Sequence, residues 1–182
     1  MKTTSKVWTY EDYLKLEEDK RYEIIEGELY FMPGASRKHQ RVALRLTLAF
    51  TNHIERIGLG EVYIPPFDVV LSEENVVQPD LVVVLKDSLS LVKEKGIFGV
   101  PDVVVEIVSP SSLKKDTEDK RRLYASYGVK EFWLVFPEEK VIEVFRLEGS
   151  EYKVHSWGYE KGKICSKLLE GFCISLEEVF GD

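Results

Sequence analysis

The chain has 182 residues, enough for one domain spanning 1–182 with a self-sufficient core and no need of metal or disulfide staples. Hydrophobic residues make up 44% and charged residues 31%, a soluble globular balance, and no apolar run approaches the roughly 18 residues of a membrane span. The net charge of −7 excludes general coating of nucleic acid, which relies on positive surface.

Met1 to Tyr10 lacks the apolar stretch of a signal peptide, so the expected compartment is the cytoplasm. Thr9 is a plausible N-cap for a short helix from Tyr10 to about Glu18, with Glu11 and Asp12 at its positive end. Arg21 to Pro33 reads as a hairpin turning at Glu26-Gly27. Ser36 then caps a long helix whose apolar face comprises Val42, Leu44, Leu46, Leu48, Phe50 and Ile54, and Gly58 and Gly60 end it. This helix is locally basic: Arg37, Lys38, Arg41, Arg45 and Arg56 face Glu55 alone between Ser36 and Arg56. Such a patch fits an enzyme that touches a polyanion at one place, and equally fits a solvated helix face. His39, beside Arg37 and Lys38 on the first turn, is placed to contact phosphate, although an exposed helix histidine is the plainer expectation.

Glu61 to Ile64 and Phe67 to Leu71 read as strands on either side of Pro65-Pro66, and Leu81 to Leu85 as a fully apolar strand. After a polar connector from Asp87 to Lys95 comes another buried strand, Val103 to Val108. Valine and leucine runs without polar alternation indicate strands covered on both faces, hence a central sheet with helices packed over it. Ser111 or Ser112 caps a helix from about Leu113 to Tyr127, closed by Gly128. Glu131 to Phe136 and Val141 to Arg146 pair next, followed by a C-terminal β extension and a final turn near Leu176 to Phe180. Cys165 and Cys173 are expected to be reduced, partly buried thiols, with a disulfide or metal pair as the alternative. Two Asn, two Gln, two Met and two Cys amid abundant Glu and Lys suggest a heat-adapted protein.

Two Pro-Asp pairs, Pro79-Asp80 and Pro101-Asp102, each open an apolar run. Asp80 begins its strand, and Glu106 lies inside the next between Val-Val-Val and Ile-Val. A buried carboxylate there needs a partner, because an unpaired charge costs several kcal/mol. On adjacent strands the two could hold a hard cation such as Mg²⁺ or Mn²⁺, each giving one oxygen, with a backbone carbonyl and waters completing the octahedron. Asp102 sits at the far end of its strand and reads as a structural turn residue.

The pattern of Tyr22-Glu-Ile-Ile-Glu-Gly-Glu-Leu29, Ser36-Arg-Lys-His39, Pro79-Asp80, the run from Gly99 to Ser111 containing Glu106, then Asp116, Lys120, Tyr124 and Gly128-Val-Lys-Glu-Phe-Trp-Leu-Val135 resembles the Uma2 family, labelled as restriction endonucleases, within the PD-(D/E)XK nuclease superfamily. The likeness runs from about residue 8 to 147. It implies an α/β fold, a restriction-endonuclease-like α/β/α core with a central mixed sheet and a C-terminal β extension. It also implies a Mg²⁺-dependent DNA endonuclease in which Asp80 and Glu106 hold the metal. The superfamily lysine would fall at Val108, which can neither orient water nor offset charge. The family likeness instead suggests Lys120, which a helix folding back over the sheet returns by about 10 Å toward Glu106. Glu23 matches an additional acidic position, with a hairpin ion pair as the alternative, and Tyr124, four residues from Lys120, is expected to line the cleft or pack in the core. Arg37, Lys38 and Arg41 would position the DNA backbone. Cutting both strands would favour a homodimer, although no interface is legible. The competing readings are a catalytically silent binding or assembly module that keeps the fold, and a hydrolase of smaller phosphorylated substrates.

Overall fold

The computed structural model describes residues 6–17 and 19–181. Thr9 and Asp12 close a reciprocal capping box at the start of α1 (Tyr10–Tyr13). The helix is shorter than expected, since no residue of it is buried to reward further turns, and the expected end at Glu18 lies outside the described residues. Strands β1 (Tyr22–Ile25) and β2 (Glu28–Phe31) form the expected hairpin. Its two turn residues, Glu26 and Gly27, have φ of 51° and 76°, the double left-handed geometry that matches strand twist. Ser36 accepts the His39 N–H and starts α2 (Arg37–Ile54).

Seven strands follow: β3 (Gly60–Tyr63), β4 (Asp68–Ser72), β5 (Asn75–Val77), β6 (Leu81–Leu85), then β7 (Val92–Lys93) and β8 (Gly96–Phe98) after a 3₁₀ turn at Lys86–Leu91, and β9 (Val103–Ile107). A π-helical segment, Lys115–Lys120, runs into α3 (Arg121–Tyr127), which ends at Gly128 with φ 90°. The uninterrupted α-helix expected from Leu113 is therefore wider over its first half. The chain finishes with β10 (Glu131–Phe136), β11 (Val141–Glu148), β12 (Glu151–Tyr159), β13 (Lys163–Cys165), β14 (Cys173–Ser175) and α4 (Leu176–Phe180).

The central sheet is mixed, in the order β3-β6-β9-β10-β11-β12, with β9 and β10 parallel and every other neighbouring pair antiparallel. It matches the architecture expected from the sequence. A second six-stranded sheet, β2-β1-β5-β4-β8-β7, was not anticipated. The run before Pro65-Pro66 supplies an edge of the central sheet and the run after it joins the second sheet.

Alternation along the central strands sends side chains to two cores. Leu81, Val83, Val103, Val105, Trp133 and Val135 pack against Val42, Leu46, Phe50 and Ile54 of α2 and against the C-terminal elements. Val82, Val84, Val104, Val108, Phe132 and Leu134 pack against the second sheet and α3. The apolar stripe of α2 is narrower than the sequence suggested: Leu44 and Leu48 are about half exposed, because only positions four apart meet the sheet.

The cysteines are not reduced thiols. Cys165 and Cys173 face each other across the β13–β14 ladder and form a disulfide. In a directly opposed antiparallel pair the two side chains lie on one face within bonding reach, which their spacing of eight residues alone does not reveal.

Candidate active site

Asp80 and Glu106 meet as the strand order requires. Strand β6 runs antiparallel to β9 with Leu81 opposite Val105, and one further step along this register sets Asp80 opposite Glu106. Cross-strand partners have Cβ atoms about 5 Å apart, close enough that two like charges repel. Asp80 Oδ2 accepts the Ile107 N–H at 2.8 Å and lies 3.2 Å from His39 Nε2. Glu106 is buried, and its Oε1 accepts from Lys120 Nζ at 2.9 Å and Tyr124 Oη at 2.6 Å. Among the described residues Asp80 Oδ1 and Glu106 Oε2 receive no side-chain or backbone hydrogen bond.

Lys120 arrives where the helix was expected to deliver it, but fully sealed from solvent. Its ammonium lies 2.7 Å from Glu23 Oε1, 2.9 Å from Glu106 Oε1 and 3.7 Å from Asp116 Oδ1. Glu23, equally buried on β1, also accepts the Gln78 N–H at 3.0 Å and Lys115 Nζ at 2.9 Å. It is no mere hairpin ion pair, because its cations come from the segment after β9. Tyr124 has no exposed surface, so its hydroxyl serves Glu106 rather than a substrate.

Four carboxyl groups thus gather at one place: Lys120 serves Glu23, Glu106 and Asp116, Lys115 serves Glu23, and Asp80 pairs with His39 instead. Glu23 sits between both lysines, and although burial opposes its ionisation their charges hold it below the usual carboxylate range. Burial likewise opposes the Lys120 ammonium, but Glu106, Glu23 and Asp116 outweigh it and keep the lysine charged. Glu106 is left with the surplus: burial above all, then Asp116, Asp80 and Glu23 against the opposing pull of Lys120, push its carboxyl up to about 8. Burial also raises Asp116 against the pull of Lys120. His39 is disfavoured as a cation by burial, yet the hydrogen bond and charge of Asp80 raise it overall.

His39 was expected on an exposed helix face; its side chain is 14% exposed, turned inward by its contact with Asp80. Its Nδ1 is buried and finds no hydrogen-bond partner. On the same helix, Arg37, Lys38, Arg41 and Arg45 line a groove of about 410 Å³ together with Lys140, Val42 and Phe180. Arg45 donates there to the carbonyls of Val179 and Gly181, and Lys38 pairs with Glu138. Asp102 accepts from Leu85 N and pairs with Lys130, tying down the other end of β9 as a turn residue would. Val108, where the superfamily likeness would put a lysine, packs in the core between the sheets.

A family model described as "Putative restriction endonuclease", that of Uma2, matches residues 10–177. The chain belongs to the Uma2 family. A relative from Synechocystis sp. (strain ATCC 27184 / PCC 6803 / Kazusa), "Uncharacterized protein slr1290", is 30% identical over 137 residues, covering 72% of this chain and 69% of that one. In fold, the chain resembles a protein of Anabaena variabilis ATCC 29413 whose crystal structure is titled as that of "a putative nuclease belonging to DUF820". The TM-score is 0.77 over 94% of this chain and 97% of that one, at 18% identity.

For this Uma2 chain the donor set can be tested against a divalent cation. Among the described residues no three His, Cys, Asp or Glu side chains gather as a ready metal ligand set. The protein offers two oxygens that receive no hydrogen bond, Asp80 Oδ1 and Glu106 Oε2, in a cluster where four carboxyl groups outnumber two lysines. That suits Mg²⁺, which keeps several waters and is held by one or two carboxylates plus substrate phosphate, and does not suit zinc. The sequence drew no attention to Lys115. Its only clue was the five-residue spacing to Lys120, meaningful once the helix is π-wound.

Proposed function

We propose that this Uma2 protein is a DNA endonuclease that hydrolyses phosphodiester bonds with Mg²⁺ or Mn²⁺. The observation that carries the proposal is the convergence of Asp80, Glu106 and Lys120 at one end of β6 and β9, with negative charge left over for a divalent cation. Asp80 and Glu106 would hold the ion through Oδ1 and Oε2. Bound there, the ion would polarise a phosphoryl oxygen and lower the pKa of a coordinated water. Lys120 and Tyr124 fix Glu106 Oε1 and so aim its other oxygen. Glu23 anchors Lys120 from the far side. The Ile107 N–H and His39 hold Asp80 Oδ2 in the same way. The groove along α2 supplies positive charge for the DNA backbone, giving affinity without sequence choice.

The complete burial of Lys120 favours one competitor, a silent binding module in which the same ions serve as a staple. Purified protein incubated with supercoiled, linear and single-stranded DNA plus Mg²⁺ or Mn²⁺ separates the two. The nuclease reading expects nicked or cut products, lost in Asp80→Ala and Lys120→Met. It fails if no DNA form is cut, or if Asp80→Ala cuts as well as the unaltered protein.

A further inference from the structure

Lys115 and Lys120 are five residues apart, and both ammonium groups reach Glu23, at 2.9 and 2.7 Å. In an α-helix five residues sweep about 500°, which would leave the two side chains about 140° apart. The π-wound segment from Lys115 to Lys120 narrows that divergence, because its wider turn, with hydrogen bonds joining residues five apart, brings the two side chains toward one side. The segment therefore has a definite product, two lysines on one carboxylate. Asp116, also within it, turns inward toward Lys120.

The division of labour between these lysines is unequal. Lys115 touches Glu23 alone among the carboxylates, through Oε2, and braces its ammonium against Met32 Sδ at 3.1 Å near the Tyr30 ring. Its side chain is 15% exposed, so its tip lies at the rim of the cluster. Lys120 lies deep and is shared between Glu23 and Glu106 at nearly equal distances. If Glu23 had Lys120 as its only cation, a fully buried carboxylate would claim that ammonium for itself, since a lone buried charge is costly.

We infer that Lys115 is a positioning residue: by satisfying Glu23 from the rim, it leaves Lys120 centred between Glu23 and Glu106. Lys115 touches no reacting group; it acts through Glu23 and then Lys120. The inference rests on the nuclease reading only for its activity readout.

The test compares Lys115→Gln with Lys115→Arg, using Lys115→Met, of similar bulk, if Lys115→Gln does not fold. A crystal structure of the metal-free Lys115→Gln protein should show Lys120 Nζ drawn onto Glu23 and out of hydrogen-bond reach of Glu106. An unchanged contact with Glu106 in a folded variant overturns the inference. On DNA, kcat should fall about 10- to 100-fold, the scale of a misplaced catalytic group, with KM changed less than about twofold, and Lys115→Arg should restore it. In a Glu23→Gln background, where Lys120 has no competing carboxylate, Lys115→Gln should cost nothing further; an undiminished loss there overturns the inference. If the unaltered protein cuts no DNA, the nuclease reading falls and the position of Lys120 in the crystal still decides the role of Lys115.

Discussion

Replacing Glu106 by Gln should change how stability depends on pH, because this carboxyl is pushed up to about 8, chiefly by burial, from an ordinary value of 4.5. Between those values the unfolded chain has released the proton and the folded chain retains it, so this group makes the metal-free protein less stable as pH rises. Integrated from about pH 5 to about pH 8, the loss amounts to a few kcal/mol. Gln cannot titrate, so the unfolding free energy of Glu106→Gln minus that of the unaltered protein should climb by up to that amount across the window, whatever the constant cost of the amide. The other groups, present in both proteins, do not create this difference; Asp116, raised by burial, also costs stability as pH rises, but in both. Glu23, held low, contributes stability that is lost only as pH falls below the ordinary carboxylate range. Lys120, held high, contributes throughout the window. His39, raised, contributes at low pH and loses that contribution as pH rises through its folded value, but it does so in both proteins. Urea unfolding in chelator, followed by tryptophan fluorescence at each pH, measures the curves. A difference constant to within about 0.5 kcal/mol from pH 5 to 8 would refute the charge-surplus argument.

Added Mg²⁺ should flatten the falling limb of the unaltered protein above about pH 6 by favouring ionised Glu106, and should leave the Glu106→Gln curve unchanged; denaturation with and without the ion checks this. Glu131, buried at the start of β10, accepts from Trp133 Nε1, Ser166 Oγ and the backbone N–H groups of Lys167 and Leu168. Glu131→Ala strands these donors and should destabilise by about 3 kcal/mol, lowering Tm by roughly 10 °C in calorimetry. Reducing Cys165–Cys173 opens a short loop and should cost about 2.5 kcal/mol by the loop-entropy relation, read as a shift of the urea midpoint with and without reductant.

The parts of the site governed by local pattern were legible in the sequence. Pro79-Asp80 and the charged interruption in Val-Val-Val-Glu106-Ile-Val marked both strands, and helix rise permitted a return of Lys120 toward them. The family likeness, rather than spacing, singled out Lys120 and Glu23. Depth was not legible: whether Glu23 and Tyr124 are sealed or open depends on how the second sheet packs against the central one and α3. That sheet was hidden because its strands are short. Asn75–Val77 has three residues and Gly96–Phe98 three, too few for any periodicity to declare itself. The π winding was invisible for a related reason, since a single widened stretch leaves no repeat. Leu44 and Leu48 misled in the opposite sense, as apolar residues next to a buried stripe that they do not join.

Glu23, Gln78 and Asp80 tie the two sheets together across the three residues that link β5 to β6. Gln78 N–H donates to a carboxylate 55 positions earlier, and Asp80 receives an N–H from 27 positions later. The lysine that completes the cluster lies 97 residues after Glu23. During synthesis a chain still short of Lys120 therefore carries the acidic half of the site without its cation. The centre comes into being only when both sheets and the helix have emerged and docked. The proposed catalytic centre is thus chemically incomplete until Lys120 has been added to the chain.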